Sequence, residues 1–553
     1  MMRRSLLIAL VLCLMGACAA VPSARAAQPL SSQPSYPLTA TSAIDVTMPD
    51  GTALYVEVTR PHPGAYGNGP WPVILEASPY HGTLADRKGT RVFPDPVDAA
   101  RRPIGLTGYF APRGYAVVMV DLRGTGRSGG CLDHLGANDA ADLKAIVEWA
   151  AGRPWSNGRV GMIGHSYVAA TAIVAAAQKP TGLVTIVPSA GLASMYDHQF
   201  NRGVPWFLQW VGPMEAYEQL ALQRHAPGED NFGGDVESTG CGIPQSSLFA
   251  GPGQLTGQYS DWHEARDWSA EASAVDIPVF IIHGVHDNAA RIPAAEWFFG
   301  TRFERPGDKV WIGQWDHGAA GNTECRVAHP TCRFEEYQHA VHAWFDRHLA
   351  GRDVDTGPGV EVFLSDGTKL ARDAWREPRS TVTIVPDASD GSLRIGSAPS
   401  SAGAATFGTV ADVVAAGVGG TVASFRSPPL TAAMTLLGLP AMTLEVSLSY
   451  GQVVDVVTTL WREDASGERH PVSYCGIQPQ LRNGVDTVTP VVPDEVMTLE
   501  PQCFTMAQDL HAGDRLVLEV GTTSSHHASR GSDAQMTLHT GPQTATRYTL
   551  PLG

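Results

Sequence analysis

Positive charge is in short supply. The 553 residues carry 39 Lys and Arg against 55 Asp and Glu, a formal charge of −16. That balance argues against nucleic acid or an anionic membrane as a partner and favours plain solubility. Long apolar runs are missing as well. The longest, from Leu6 to about Ala20, falls short of the ~20 residues that cross a bilayer. No C-x-x-C pair occurs, which removes the usual scaffold of a zinc site. No internal repeat is visible. What remains is an ordinary globular composition, 43% hydrophobic and 17% charged, long enough for two or three domains.

The N-terminus carries its own pattern. Arg3 and Arg4 precede the apolar run, and Ala24-Arg25-Ala26 supplies a small-x-small cleavage site. Residues 1–26 are therefore expected to be a secretory signal peptide, giving a secreted or periplasmic protein. A second reading is lipoprotein processing at Gly16-Ala17-Cys18, with Cys18 acylated. Beyond Cys13 and Cys18 of the leader, six cysteines remain, an even number that suits an oxidising compartment. Proximity favours Cys325 with Cys332 and Cys475 with Cys503, leaving Cys131 with Cys241.

The body of the chain changes character twice. Ile44 to Arg60 reads as a hairpin turning at Asp50-Gly51. Short apolar strands then alternate with helical spacing: Pro72–Glu76, Tyr115–Asp121, Arg159–Ile163, Leu183–Val187, Pro278–Ile282 and Lys309–Ile312 are strands, and Asp139–Ala151, Tyr167–Gln178 and Glu335–Leu349 are helices. Such alternation predicts an α/β domain over about 38–350, with a mostly parallel sheet covered on both faces. The Trp-, Tyr- and Glu-rich stretch 194–274 interrupts it and is expected to be an inserted helical cap. Over 355–553, Thr- and Val-rich alternating segments, Val360–Phe363 among them, predict a β-sandwich. Ala402–Thr421 is Gly- and Ala-rich and reads as a loop.

Chemistry centres on Gly164-His165-Ser166-Tyr167, entered by a strand and left by a small-residue helix. That setting is a nucleophile elbow, a tight turn that lifts a serine hydroxyl to the sheet edge. A serine hydroxyl needs a base, and the base needs an acid to orient it. Two later strands supply them at their C-terminal ends. One runs into His283-Gly284-Val285-His286-Asp287, the other into Gly313-Gln314-Trp315-Asp316-His317. Ser166, Asp287 and His317 form a triad in the order this turn requires. His283 and His286 also admit reading as a metal pair. His339, His342 and His348 share a helix as surface or packing residues. Oxyanion donors are expected from the Tyr167 N–H and the phenol of Tyr80. Gly124-Thr125-Gly126-Arg127-Ser128-Gly129 mimics a dinucleotide fingerprint, but no helix opens directly after it.

These elements together resemble the family of Xaa-Pro dipeptidyl-peptidases and cocaine-esterase-like (CocE/NonD) hydrolases, known as peptidase S15. The resemblance runs through Ser78-Pro79-Tyr80, Asp121-Leu122-Arg123-Gly124-Thr125-Gly126-Arg127-Ser128, the elbow, both strand ends and Trp315-Asp316-His317-Gly318. It continues in Asp373-Ala374-Trp375-Arg376-Glu377-Pro378, Ser427-Pro428-Pro429-Leu430 and Gly513-Asp514-Arg515-Leu516. It implies an α/β-hydrolase core, a helical cap, a C-terminal jelly roll, the triad above, and the Tyr80 hydroxyl in the oxyanion hole. Ala169 departs from the family's usual glycine.

The expected reaction is acyl transfer on a small ester, amide or short peptide, without metal or organic cofactor. Gly191-Leu192-Ala193-Ser194-Met195-Tyr196-Asp197 leans toward the peptidases; an esterase or acylase is the alternative. A binding protein with an inactive hydrolase core is a further alternative. A dipeptidyl-peptidase must pair the substrate's α-amine with a carboxylate. Asp197, Glu215 and Glu218 are the candidates, and Trp206, Phe207 and Trp210 are candidates for an apolar pocket or for cap core.

Overall fold

A computed structural model describes residues 32–81, 105–206, 256–291, 296–299, 305–317, 334–373, 380–409, 421–451, 453–524, 527 and 534–553. The expected signal peptide, Cys241, Cys325, Cys332, Phe207, Trp210, Glu215 and Glu218 lie outside the described residues.

The first sheet has ten strands. They are β1 (Thr39–Thr47), β2 (Ala53–Pro61), β3 (Trp71–Ser78), β4 (Ala116–Asp121), β5 (Ser156–His165), β6 (Leu183–Ser189), β9 (Phe280–Gly284), β10 (Lys309–Gly313), β11 (Val360–Phe363) and β12 (Lys369–Arg372). Their order is β1-β2-β4-β3-β5-β6-β9-β10-β11-β12. From β4 to β11 neighbours run parallel, while β1, β2 and β12 are antiparallel at the edges. Parallel strands are buried on both faces, which is why β3 and β4 read as largely apolar runs without alternation. The pleat divides them: Val73, Leu75, Val118 and Val120 pack with the helices Ala137–Ala151 and Tyr167–Ala177. Ile74, Val117 and Met119 pack with Leu106, Phe110, Trp344 and Phe345 of the helices Gly105–Phe110 and Phe334–His348.

Between β6 and β9 the described residues hold the short helices Met195–Gln199, Asp261–Glu264 and Ser269–Ser273. A two-residue hairpin, β7 (Phe200–Asn201) and β8 (Val204–Pro205), was not expected there. Residues 207–255 of the expected cap lie outside the described residues.

The second sheet has fourteen strands, from Ser380–Asp387 to Arg547–Leu552, paired almost entirely antiparallel. Its two layers close on a core that includes Phe407, Phe425, Leu460, Leu518, Met536 and Tyr548. Cys475 and Cys503 face each other on adjacent strands and are disulfide-bonded. Cys131 is disulfide-bonded as well. Leu437, Tyr474, Phe504 and Ala507 of this β-rich region join the core of the first sheet.

Two sequence expectations fail here. Val360–Phe363 does not enter the sandwich; it is β11 of the first sheet. The helix Phe334–His348 carries the chain to the edge of β10, where Val360 and Val362 bury on one face and Phe363 on the other. Buried Glu361 fixes the pairing by accepting from Lys309 Nζ at 2.8 Å and Trp311 Nε1 at 2.6 Å. Gly403–Thr409, expected in a loop, is a strand paired with Ala534–Thr540. Its small residues fit because the partner backbone approaches closely: a Cβ on Gly408 would lie 2.2 Å from the Ala534 carbonyl oxygen.

Candidate active site

Ser166 stands between β5 and the helix Tyr167–Ala177 with φ 61° and ψ −129°. A non-glycine residue reaches that conformation only under constraint. Two features impose it. The Ser166 N–H donates to the Ser189 carbonyl of β6 at 2.9 Å. Gly164 lets the following turn fold back on the strand, since a Cβ there would lie 2.4 Å from the Val168 carbonyl oxygen. The turn lifts Ser166 Oγ above the sheet at the C-terminal ends of the strands, where ligands gather in this architecture.

Asp287 and His317 reach it from the ends of β9 and β10. His317 Nε2 lies 2.9 Å from Ser166 Oγ, and Nδ1 lies 3.0 and 3.1 Å from the two Asp287 carboxylate oxygens. Asp287 is buried and also accepts from the Ala289 N–H at 2.8 Å. Burial alone would raise its carboxyl pKa, but the charge and hydrogen bond of His317 outweigh it and hold it below the ordinary value. For His317 the balance runs the other way. Burial would lower the imidazole; the charge and hydrogen bond of Asp287 override it and raise it. The array can therefore draw a proton from Ser166 and store it on His317.

Two further histidines frame it. The ring of His165 lies 4.8 Å from that of His317. Burial and the neighbouring His317 push it down to about 3, so it stays neutral. His198, on the helix Met195–Gln199, is buried and pushed down to about 4 by burial, His317 and Arg291. Neither was singled out from sequence, since a lone histidine carries no spacing signal. His165 was visible only as the middle residue of the elbow.

Tyr167 opens its helix, so its N–H precedes the first turn's hydrogen bonds. Tyr80 follows β3, its N–H held by Ser78 Oγ at 3.0 Å, and its ring packs on the core of the first sheet. The other sequence candidates engage partners outside the triad. Trp206 is fully buried, stacked on His527, with the Arg291 guanidinium over its ring at 3.7 Å from the ring centre. Asp197 lines a cleft of about 600 Å³ with Tyr196, Tyr259 and Asp267. His283 Nε2 meets the Ala290 carbonyl and His286 Nε2 meets Gln314, so these two rings turn to separate partners. The glycine-rich loop 124–130 packs on β4: Asp121 Oδ2 accepts from the Arg127 N–H, and a Cβ on Gly126 would lie 2.3 Å from that oxygen. His342 is buried rather than superficial, bonded to Ser32 and Tyr109.

Fold and array together define the class: a serine hydrolase of the α/β-hydrolase type. Comparison with known proteins narrows it. Residues 50–319 match the model of the X-Pro dipeptidyl-peptidase (S15) family, and residues 352–549 match the X-Pro dipeptidyl-peptidase C-terminal non-catalytic domain. The chain belongs to the S15 peptidase family. A protein of Streptomyces avermitilis that carries the provisional name Xaa-Pro dipeptidyl-peptidase is 30% identical over 353 residues, 60% of this chain and 48% of that one. The chain spans about half the length of the curated relatives it matches. Among solved structures, an aminopeptidase from the marine sediment archaeon Thaumarchaeota archaeon superposes with a TM-score of 0.74 at 16% identity, covering 93% of this chain and 96% of that one. A CocE/NonD family hydrolase from Staphylococcus aureus gives 0.73 at 18% identity, covering 93% and 94%. Both show the fold.

Proposed function

We propose that this protein is an exported serine hydrolase that cleaves an acyl bond through an acyl-enzyme, with Xaa-Pro dipeptidyl-peptidase activity. The observation that carries the proposal is the bridge formed by His317, 2.9 Å from Ser166 Oγ on one side and 3.0 Å from Asp287 on the other. His317 takes the serine proton as Oγ attacks the carbonyl carbon. Asp287 stays ionised and stabilises the imidazolium. The Tyr167 N–H and the Tyr80 hydroxyl hold the oxyanion. His317 returns the proton to the leaving group, and water, with His317 again as base, releases the acyl group. Export rests on the leader pattern, with the Cys475–Cys503 disulfide in support.

Peptidase activity is supported by the family and by the names its curated relatives carry. An esterase or acylase is the second reading. It is favoured by the place of Asp197, the described candidate for pairing the substrate amine: the described lining of its cleft of about 600 Å³ includes Asp267 and Tyr259 but none of Ser166, Asp287 and His317. Turnover of Gly-Pro and Ala-Pro p-nitroanilides against simple p-nitrophenyl esters decides between them. Cleavage of the anilides supports the peptidase; turnover of the esters alone removes it.

A further inference from the structure

His198 is 4% exposed, and neither of its ring nitrogens has a hydrogen-bond partner among the described residues. Buried polar groups in folded proteins are almost always paired, so two unpaired nitrogens on one ring call for a reason. Its position supplies one. The helix Met195–Gln199 follows β6, whose last residue, Ser189, accepts the Ser166 N–H. His198 also lies within electrostatic reach of His317, Asp287 and Arg291. It is thus a buried polar side chain, coupled electrostatically to His317 and Asp287, with its hydrogen-bonding capacity unspent among the described residues.

The ring is neutral, pushed down to about 4 by burial first and then by His317 and Arg291. A neutral imidazole offers one N–H donor and one acceptor. The surroundings select between them. Arg291, 2% exposed and seated over Trp206, places a positive charge nearby, and His317 becomes positive during the reaction. The Asp287 carboxylate offsets His317, so Arg291 tips the balance against a substrate ammonium at this spot and toward an oxygen that accepts. In an acyl group with an amide bond, that oxygen is the carbonyl one residue before the carbon under attack. A plain alkyl ester has none.

We propose that His198 is a specificity-determining residue whose ring N–H donates to the carbonyl oxygen preceding the scissile carbonyl, so that the site prefers acyl groups of peptide type. The proposal rests on the acyl-transfer reading of Ser166, and its test separates the two. The full chain and its H198L and H198N variants are assayed with the p-nitrophenyl esters of N-acetylproline and of butyric acid. The readout is the ratio of kcat/KM for the first ester to that for the second. Leucine removes the donor and asparagine keeps one. H198L is expected to lower the ratio about ten- to a hundredfold, the weight of one buried hydrogen bond left unmade, and H198N to restore most of it. A change in overall folding moves both esters together and leaves the ratio where it was. An unchanged ratio in H198L overturns the proposal and leaves the triad standing. Failure of the unmutated protein to turn over either ester overturns the acyl-transfer reading and the proposal with it. A Gly-Pro anilide left intact beside a ratio that falls in H198L removes only the dipeptidyl assignment.

Discussion

Replacing Asp287 with Asn tests the electrostatics of the array with one atom changed per side chain. Asp287 faces two donors at once, His317 Nδ1 at 3.0 Å and the Ala289 N–H at 2.8 Å. Oδ1 meets both, but Oδ2 also lies 3.1 Å from Nδ1, so an amide places its NH2 against one of the two donors whichever way it turns. With its oxygen toward Ala289, its NH2 donates to His317 Nδ1, and the ring proton moves to Nε2, pointing at Ser166 Oγ. The base is then blocked. With its oxygen toward His317, its NH2 confronts the Ala289 N–H, donor against donor, at a cost of about 1–3 kcal/mol in a buried site. The blocked tautomer is favoured. Loss of the triad carboxylate in this way lowers kcat by about 10⁴, or about 5.4 kcal/mol of transition-state stabilisation. The assay is p-nitrophenolate release under saturating ester, with KM measured alongside. The pH profile adds a second readout. In the unmutated protein Asp287 raises the His317 pKa, so activity falls on the acid side from above the ordinary imidazole value of about 6.5. In D287N that limb moves to lower pH. A loss of less than about tenfold, with the limb unmoved, refutes the assigned role of Asp287.

Two further outcomes follow from the same geometry. Tyr80→Phe removes the phenol donor and is expected to lower kcat about 10²- to 10³-fold with KM little changed; a rise in KM alone would place Tyr80 in ground-state binding instead. Gly164→Ala puts a Cβ 2.4 Å from the Val168 carbonyl oxygen and is expected to cost about 1–3 kcal/mol or more in urea unfolding, with activity lost; a variant as stable and active as the parent would contradict the elbow's close packing.

Much of the fold was legible because burial follows period. β3, β4 and the Val160–Gly164 part of β5 are buried on both faces and so read as largely apolar runs, and Leu143, Ile146, Val147 and Ala150 mark one helix face. The array of Ser166, Asp287 and His317 was legible for a related reason: each follows the C-terminal end of a strand, so a strand boundary locates it. Where three-dimensional context decides, residue order is silent. Val360–Phe363 has the same alternation in either sheet, and only its pairing with β10 assigns it. Gly403–Thr409 looks loop-like because its composition answers a close backbone partner rather than a propensity. Trp206 fits a pocket wall or a core equally well in sequence, and its stacking on His527, over three hundred positions away, puts it in the core. His198 matters through what surrounds it, which no local pattern encodes.

The central claim is that Ser166 is the nucleophile. Intact-mass and peptide mapping after treatment with a fluorophosphonate test it directly. One adduct on the Ser166 peptide, with ester turnover lost in step and no adduct in S166A, is the predicted result. An unlabelled Ser166 peptide in protein that still turns over esters would contradict it.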